Sequence, residues 1–114
     1  MKGDAALFRL VGDDRFNEMV EAATTDAYGE SELTTGWYTV IDENLKIPFK
    51  TLVLGGEVDV VKLDISDNDE LFVELRKGSS RLSVLLKDLP LEKPLAEGAE
   101  WIIAYRRWMA GRGE

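Results

Sequence analysis

After Pro48 the sequence changes period, and this change limits the fold more than any other feature. Apolar and β-branched residues alternate with polar ones in four short runs, near 49–54, 58–63, 71–76 and 81–86. Alternation puts one apolar face on each run, as a half-buried strand requires. The joins are Gly55-Gly56, the acidic stretch 64–70 and Lys77-Gly78-Ser79, two of them Gly-containing hairpin signals. Sequential strands with tight turns make an antiparallel meander, and Pro48 stands where a strand can start. A lone sheet of this size cannot cover its own apolar face, so helices must pack on it.

Helical periods supply that cover on both sides. Asp13 or Asp14 can cap a helix in which Phe16, Val20, Ala23 and Ala27 recur at helical spacing with Met19 flanking, and Gly29 can end it. In 30–45 the run Trp37-Tyr38-Thr39-Val40-Ile41 has β propensity, but Leu33, Trp37, Val40, Ile41 and Leu45 form one helical stripe. The period decides for helix, and its opposite face carries Glu32, Thr35, Thr39, Asp42 and Glu43. A closing amphipathic helix is expected over 95–110, with Trp101, Ile102, Tyr105, Trp108 and Met109 on one side. The expectation is one α+β domain over 1–114, a small antiparallel curled sheet or SH3-like barrel flanked by N-terminal helices and a C-terminal helix.

Composition narrows the chemistry. At 114 residues there is length for one core, not for two lobes around a cleft, and 45% hydrophobic content suits a packed domain. Twenty-two acidic against 14 basic side chains give a formal charge of -8, which repels phosphate backbones and argues against nucleic acid. With no Cys and no His, thiolate chemistry, a histidine base and the usual zinc, copper and iron sites are excluded. Any metal must accept oxygen donors, as calcium, magnesium and manganese do. No phosphate loop or dinucleotide fingerprint occurs, so no enzyme is expected. Arg9 interrupts the apolar start of the chain, and no run approaches a membrane span of about 18 residues. A soluble cytoplasmic protein is expected.

The strongest local signal is Asp64-Ile65-Ser66-Asp67-Asn68-Asp69-Glu70, which gathers carboxylates and an amide carbonyl in an expected loop. Calcium takes six to eight oxygens, and such a loop supplies several. It is not an EF-hand, because no start position puts Gly at loop position 6 and Glu at 12; the alternative is a solvated acidic turn. A second group, Asp42-Glu43-Asn44, ends the expected helix where the dipole disfavours negative charge and a cation would offset it. Asp26, Glu30 and Glu32 lie where the first helix turns into the second and converge only if that corner is tight. Trp37, Tyr105 and Trp108 read as core anchors.

Several segments together resemble one family. Asp26-Ala27-Tyr28, Gly36-Trp37-Tyr38, Ile41-Asp42-Glu43-Asn44-Leu45 and Ile47-Pro48-Phe49 are similar to the pattern of the small CcbP-type calcium-binding proteins of filamentous cyanobacteria. Glu57-Val58-Asp59-Val60, Glu70-Leu71-Phe72-Val73-Glu74-Leu75, Arg81-Leu82-Ser83-Val84, Lys87-Asp88-Leu89 and Tyr105-Arg106-Arg107-Trp108 follow in order, so the resemblance covers roughly 26–111. It departs at a short segment after Phe49, at Ala104 where an acid is expected, and at the basic pair Arg106-Arg107. The resemblance implies a compact, acidic, non-EF-hand calcium binder with two sites of unequal strength that sequesters or senses cytoplasmic calcium. It maps metal ligands onto Asp42 and Glu43, onto Asp67, Asp69 and Glu70, and onto Asp26. The rival expectation is a metal-free SH3- or Tudor-like module that presents an acidic, aromatic groove to a basic peptide or protein partner.

Overall fold

The computed structural model describes residues 6–53 and 55–112. Residues 1–5 of the N-terminal reading and Leu54, the expected end of the first strand, lie outside them. In order the elements are α1 (Asp13–Thr24), α2 (Glu30–Asn44), β1 (Phe49–Val53), β2 (Gly56–Ile65), β3 (Leu71–Lys77), β4 (Ser80–Leu85), a 3-10 turn (Leu86–Asp88) and α3 (Glu100–Gly111).

The expected meander forms one antiparallel sheet in the order β1-β2-β3-β4. Its register pairs Phe49 with Val60, Val60 with Leu75 and Leu75 with Leu82, so one apolar row crosses all four strands. The sheet does not close. β1 and β4 are its two edges, which corrects the barrel alternative. Closure is unnecessary because α2 lies on β2 and the 3-10 turn on β3, so helices rather than a far wall of strands cover the inner face.

The stripe read on α2 is the centre of the core. Trp37 and Ile41 are fully buried, Val40 and Leu45 nearly so, against Val60, Val73, Leu75, Ile102 and Ile103. Trp37 meets Tyr105 edge-on at 5.7 Å between ring centroids and Trp108 at 5.5 Å. Its indole Nε1 is buried without a partner, a cost of about 1–3 kcal/mol that three packed rings offset. These aromatics therefore anchor the core and form no exposed cage.

Two expected helix limits shift. α1 stops at Thr24, not Gly29: Thr24 and Thr25 hydroxyls donate back to the Val20 and Glu21 carbonyls, and Asp26 turns left-handed with φ 64°. Met19, expected at the flank, is its most buried residue, while Gly29 instead precedes α2 as its N-cap. The closing helix starts at Glu100 rather than 95, because residues 95–98 wrap the end of α2: Lys46 N–H donates to the Glu97 carbonyl, and Gly98, with φ 84°, stands where any Cβ would overlap Asn44.

The two arginines that depart from the family pattern serve the fold. Arg106 is buried and donates to the Leu86 and Leu89 carbonyls, fixing the 3-10 turn to α3. Arg107 lies over the Phe16 ring at 4.1 Å and pairs with Asp13 at 2.6 Å, holding α1 against α3.

Candidate functional site

α1 and α2 cross closely because residue 36 has no side chain: a Cβ there would overlap the Ala23 carbonyl oxygen. That contact makes the corner between the helices tight. Asp26, Ser31, Glu32 and Thr35 line one open concavity of about 310 Å³ there. Glu32 accepts a hydrogen bond from Tyr28 N–H at 2.8 Å, which folds the linker onto the first turn of α2. Thr35 and Thr39 hydroxyls donate to the carbonyls four residues earlier, leaving their oxygen lone pairs outward.

The acidic loop between β2 and β3 reaches the same corner. Ser66 organises it: its N–H donates to the Glu70 carbonyl, its carbonyl accepts from Asp69 N–H, and its hydroxyl accepts from Asn68 and Glu70 N–H. The loop is tied to α2 at Asp69, whose carbonyl accepts from Thr34 Oγ1 at 3.0 Å and whose Oδ1 accepts from Ser31 Oγ at 3.4 Å. Ser31 thus belongs both to the concavity of Asp26 and Glu32 and to the contact with Asp69. Asp69 has φ 59°, and with Asp26 it is the whole set of non-glycine residues with positive φ among the described residues.

Asp42 and Glu43 stand elsewhere. From Ser31 to Asp42 is eleven positions of α2, about 16 Å of helix. The two acids occupy the last turn, exposed, beside carbonyls that no later turn satisfies. The expected ligands therefore divide between the two ends of α2, Asp26 and Asp69 at the first and Asp42 and Glu43 at the second. Among the described residues no three Asp or Glu side chains stand close enough together to hold a metal as a ready-made cluster.

Partners sort the acids further. Asp13, Glu18, Glu30, Glu57, Asp59, Asp64, Glu74 and Glu100 each have a basic neighbour. Asp26, Asp42, Glu43, Asp67, Asp69 and Glu70 have no ion pair among the described residues. Asp64 opens the acidic run but serves the strand: its own Ile65 N–H, then Lys62, hold its carboxyl below the usual range. Glu70 is half-buried and its charge acts on Tyr105, whose phenol is pushed up to about 12 by burial first and the Glu70 charge second, with a Leu71 backbone bond opposing.

The donors at the first end of α2 suit a hard cation. Carboxylates of Asp26 and Glu32 and hydroxyls of Ser31 and Thr35 line the open concavity, and Asp69 meets it from the adjoining loop through Ser31, so the side-chain donors offered there are all oxygen. Ser31 and Thr34 were not singled out in the sequence; the signal was the one-turn spacing of Ser31 from Thr34 and Thr35 and their place at the start of a helix.

A protein-family model described as calcium binding, that of CcbP, matches residues 17–109. The chain belongs to the CcbP calcium-binding family. Calcium is thus the ion of this family, and the match reaches further back into α1 than the sequence resemblance did. The fold agrees with two solved structures. The crystal structure of Anabaena CcbP superposes with TM-score 0.72 at 21% identity, covering 87% of this chain and 92% of that one. A calcium-binding protein in its calcium-binding form superposes with TM-score 0.70 at 22% identity, covering 89% and 93%. No curated protein matches the chain. No helix among the described residues is long and apolar enough to cross a membrane.

Proposed function

We propose that the chain sequesters calcium at the two ends of α2, with the stronger site at the corner of Asp26, Glu32 and Asp69 and the weaker one at Asp42 and Glu43. The observation that carries this is the convergence of Asp26 and Asp69 on Ser31 from two different segments. Each sits in a left-handed turn, a backbone state that Asp tolerates better than most residues. Both residues border Ser31, and neither has an ion-pair partner among the described residues.

At this corner Asp26, Glu32 and Asp69 supply charge, Ser31 and Thr35 supply neutral oxygens, and water fills the remaining places. Asp67 and Glu70 flank the loop; they raise the local negative potential that draws the cation in, and Asp67, exposed at the tip, can reach inward as the ion binds. At the other end Asp42 and Glu43 act with the helix carbonyls, where the dipole favours a cation by about 0.3–1 kcal/mol. Sequestration is the better reading than sensing because the loop is already ordered by Ser66 and Thr34, so binding needs no second arrangement of a large element. We place this activity in the cytoplasm, where a chain without Cys loses nothing to reducing conditions.

Thermal melts in chelator and in 1 mM calcium test this. A site of about 10 µM gives about 2.7 kcal/mol of stabilisation, or a rise near 10 °C. Equal melting temperatures in the two buffers refute calcium binding, and a rise untouched by Asp26→Asn and Asp69→Asn refutes the placement.

A further inference from the structure

The threonines of the first two helices divide by where their hydroxyls donate. Thr24, Thr25, Thr35 and Thr39 each donate to the carbonyl four residues earlier. That bond is open to any helical hydroxyl and needs no tertiary contact. Thr34 stands in the same helix as Thr35 and Thr39, half-buried, and does otherwise: its Oγ1 donates at 3.0 Å to the Asp69 carbonyl, 35 positions along the chain. The helix offers no reason for the difference, so the reason lies with the partner.

The bond falls on a peptide group that is held at both poles. Its carbonyl, that of Asp69, accepts from Thr34, and its N–H, that of Glu70, donates to Ser66 Oγ at 3.2 Å. A peptide is planar, so holding both poles fixes the plane. The acids on either side of that plane leave it in set directions. Asp69 Oδ1 comes within 3.4 Å of Ser31 Oγ, at the edge of the concavity of Asp26 and Glu32, while Glu70 is half-buried and its charge acts on Tyr105. Ser31 and Thr34 are one turn apart on α2, so one face of the helix receives both the side chain and the backbone of Asp69.

We infer that Thr34 is the positioning residue of the calcium corner: its hydroxyl, itself no ligand, clamps the Asp69–Glu70 peptide and so assigns Asp69 to the ion and Glu70 to the Tyr105 side. This rests on the placement of the tighter site proposed above. With the clamp in place, a movement of the Asp69 side chain alone brings its carboxylate onto the ion, and binding does not have to order the loop backbone as well. Without it the loop keeps its Ser66 bonds, but the tie of its backbone to α2 is gone and the longer Ser31 contact has to hold Asp69 by itself. Water can replace the hydroxyl at this exposed carbonyl, so the loss is one of position rather than of fold.

The test is calcium titration of the full chain carrying Thr34→Val, which keeps the branched shape and removes the donor, or Thr34→Ser, which keeps the donor. Thr34→Val should weaken the tighter equivalent about tenfold, the scale of one hydrogen bond, and leave the weaker equivalent as it is. Thr34→Ser should stay within about twofold of the parent. Thr39→Val, which removes only a bond within its own helix, should leave both equivalents unchanged. A role in folding alone would lower the melting temperature in chelator without separating the two equivalents. Parent-like titration of Thr34→Val overturns the inference, and so does equal weakening in Thr34→Ser, which would give the effect to side-chain packing. Asp69→Asn separates the clamp from the site it serves. Weakening in Asp69→Asn beside a parent-like Thr34→Val refutes the clamp alone; a parent-like Asp69→Asn refutes the placement of the site, and the clamp with it.

Discussion

The two ends of α2 hold the same kind of side chain and differ in how it is held. At the first end, acids come from the linker, the helix and the β2–β3 loop, and Ser31 and Thr34 bind those segments together. At the second end, Asp42 and Glu43 are consecutive residues of one turn, and the loop 95–98 reaches that end through the Lys46–Glu97 hydrogen bond and the close approach of Gly98 to Asn44 and Leu45. The dipole opposes a cation at the first end and favours it at the second, but this is worth about 1 kcal/mol at most on an exposed surface. On the proposed reading a third carboxylate, brought onto the ion as it binds, and the neighbouring hydroxyls outweigh this effect and make the three-segment corner the stronger site.

The largest effect that could break this contrast is at Gly36. Gly36→Ala forces α1 from α2 at Ala23, and we expect a loss of about 3 kcal/mol in denaturant unfolding together with loss of the tighter calcium site alone. Unchanged stability would show that the corner is not close-packed.

Asp26→Gly and Asp69→Gly separate strain from function. Each should leave the melting temperature in chelator equal or higher, because Gly suits φ near 60°, while removing most of the roughly 10 °C rise in calcium. If instead either variant melts lower in chelator and keeps the full calcium shift, the carboxylate is structural.

Alkaline stability sharpens the tie between loop and core. Tyr105 has an unfolded value near 10 and a folded value of about 12, so between these the unfolded chain binds fewer protons and stability falls as pH rises. The expected loss is about 2 kcal/mol across that window, and Tyr105→Phe should flatten the profile relative to the parent. An identical profile would place the phenol in solvent.

The smallest effect belongs to the second end. Asp42→Asn and Glu43→Gln remove charge that the dipole disfavours, so each should raise stability in chelator by about 0.3–1 kcal/mol while weakening only the second calcium equivalent. A loss of stability would mean that these acids have partners of their own.

Much of this was legible in the sequence. Four apolar residues of α2 with Leu45 at its C-cap fixed a helix against the β propensity of Trp37–Ile41, and the Gly-containing joins fixed the meander. What period alone did not show came from contacts between segments. α1 ends early because Thr24 and Thr25 turn back on their own helix, α3 begins late because 95–98 must cover Asn44, and the sheet stays open because helices already cover it. For the site, residue type identified the unpaired acids, but not that α2 separates them by three turns or that Ser31 joins Asp26 to Asp69.

Calcium titration calorimetry of the parent and two double variants is the most direct measurement. The account predicts two unequal equivalents for the parent, loss of the tighter one in Asp26→Asn/Asp69→Asn, and loss of the weaker one in Asp42→Asn/Glu43→Gln. Loss of the tighter equivalent in the second pair, with the first pair titrating like the parent, would contradict it.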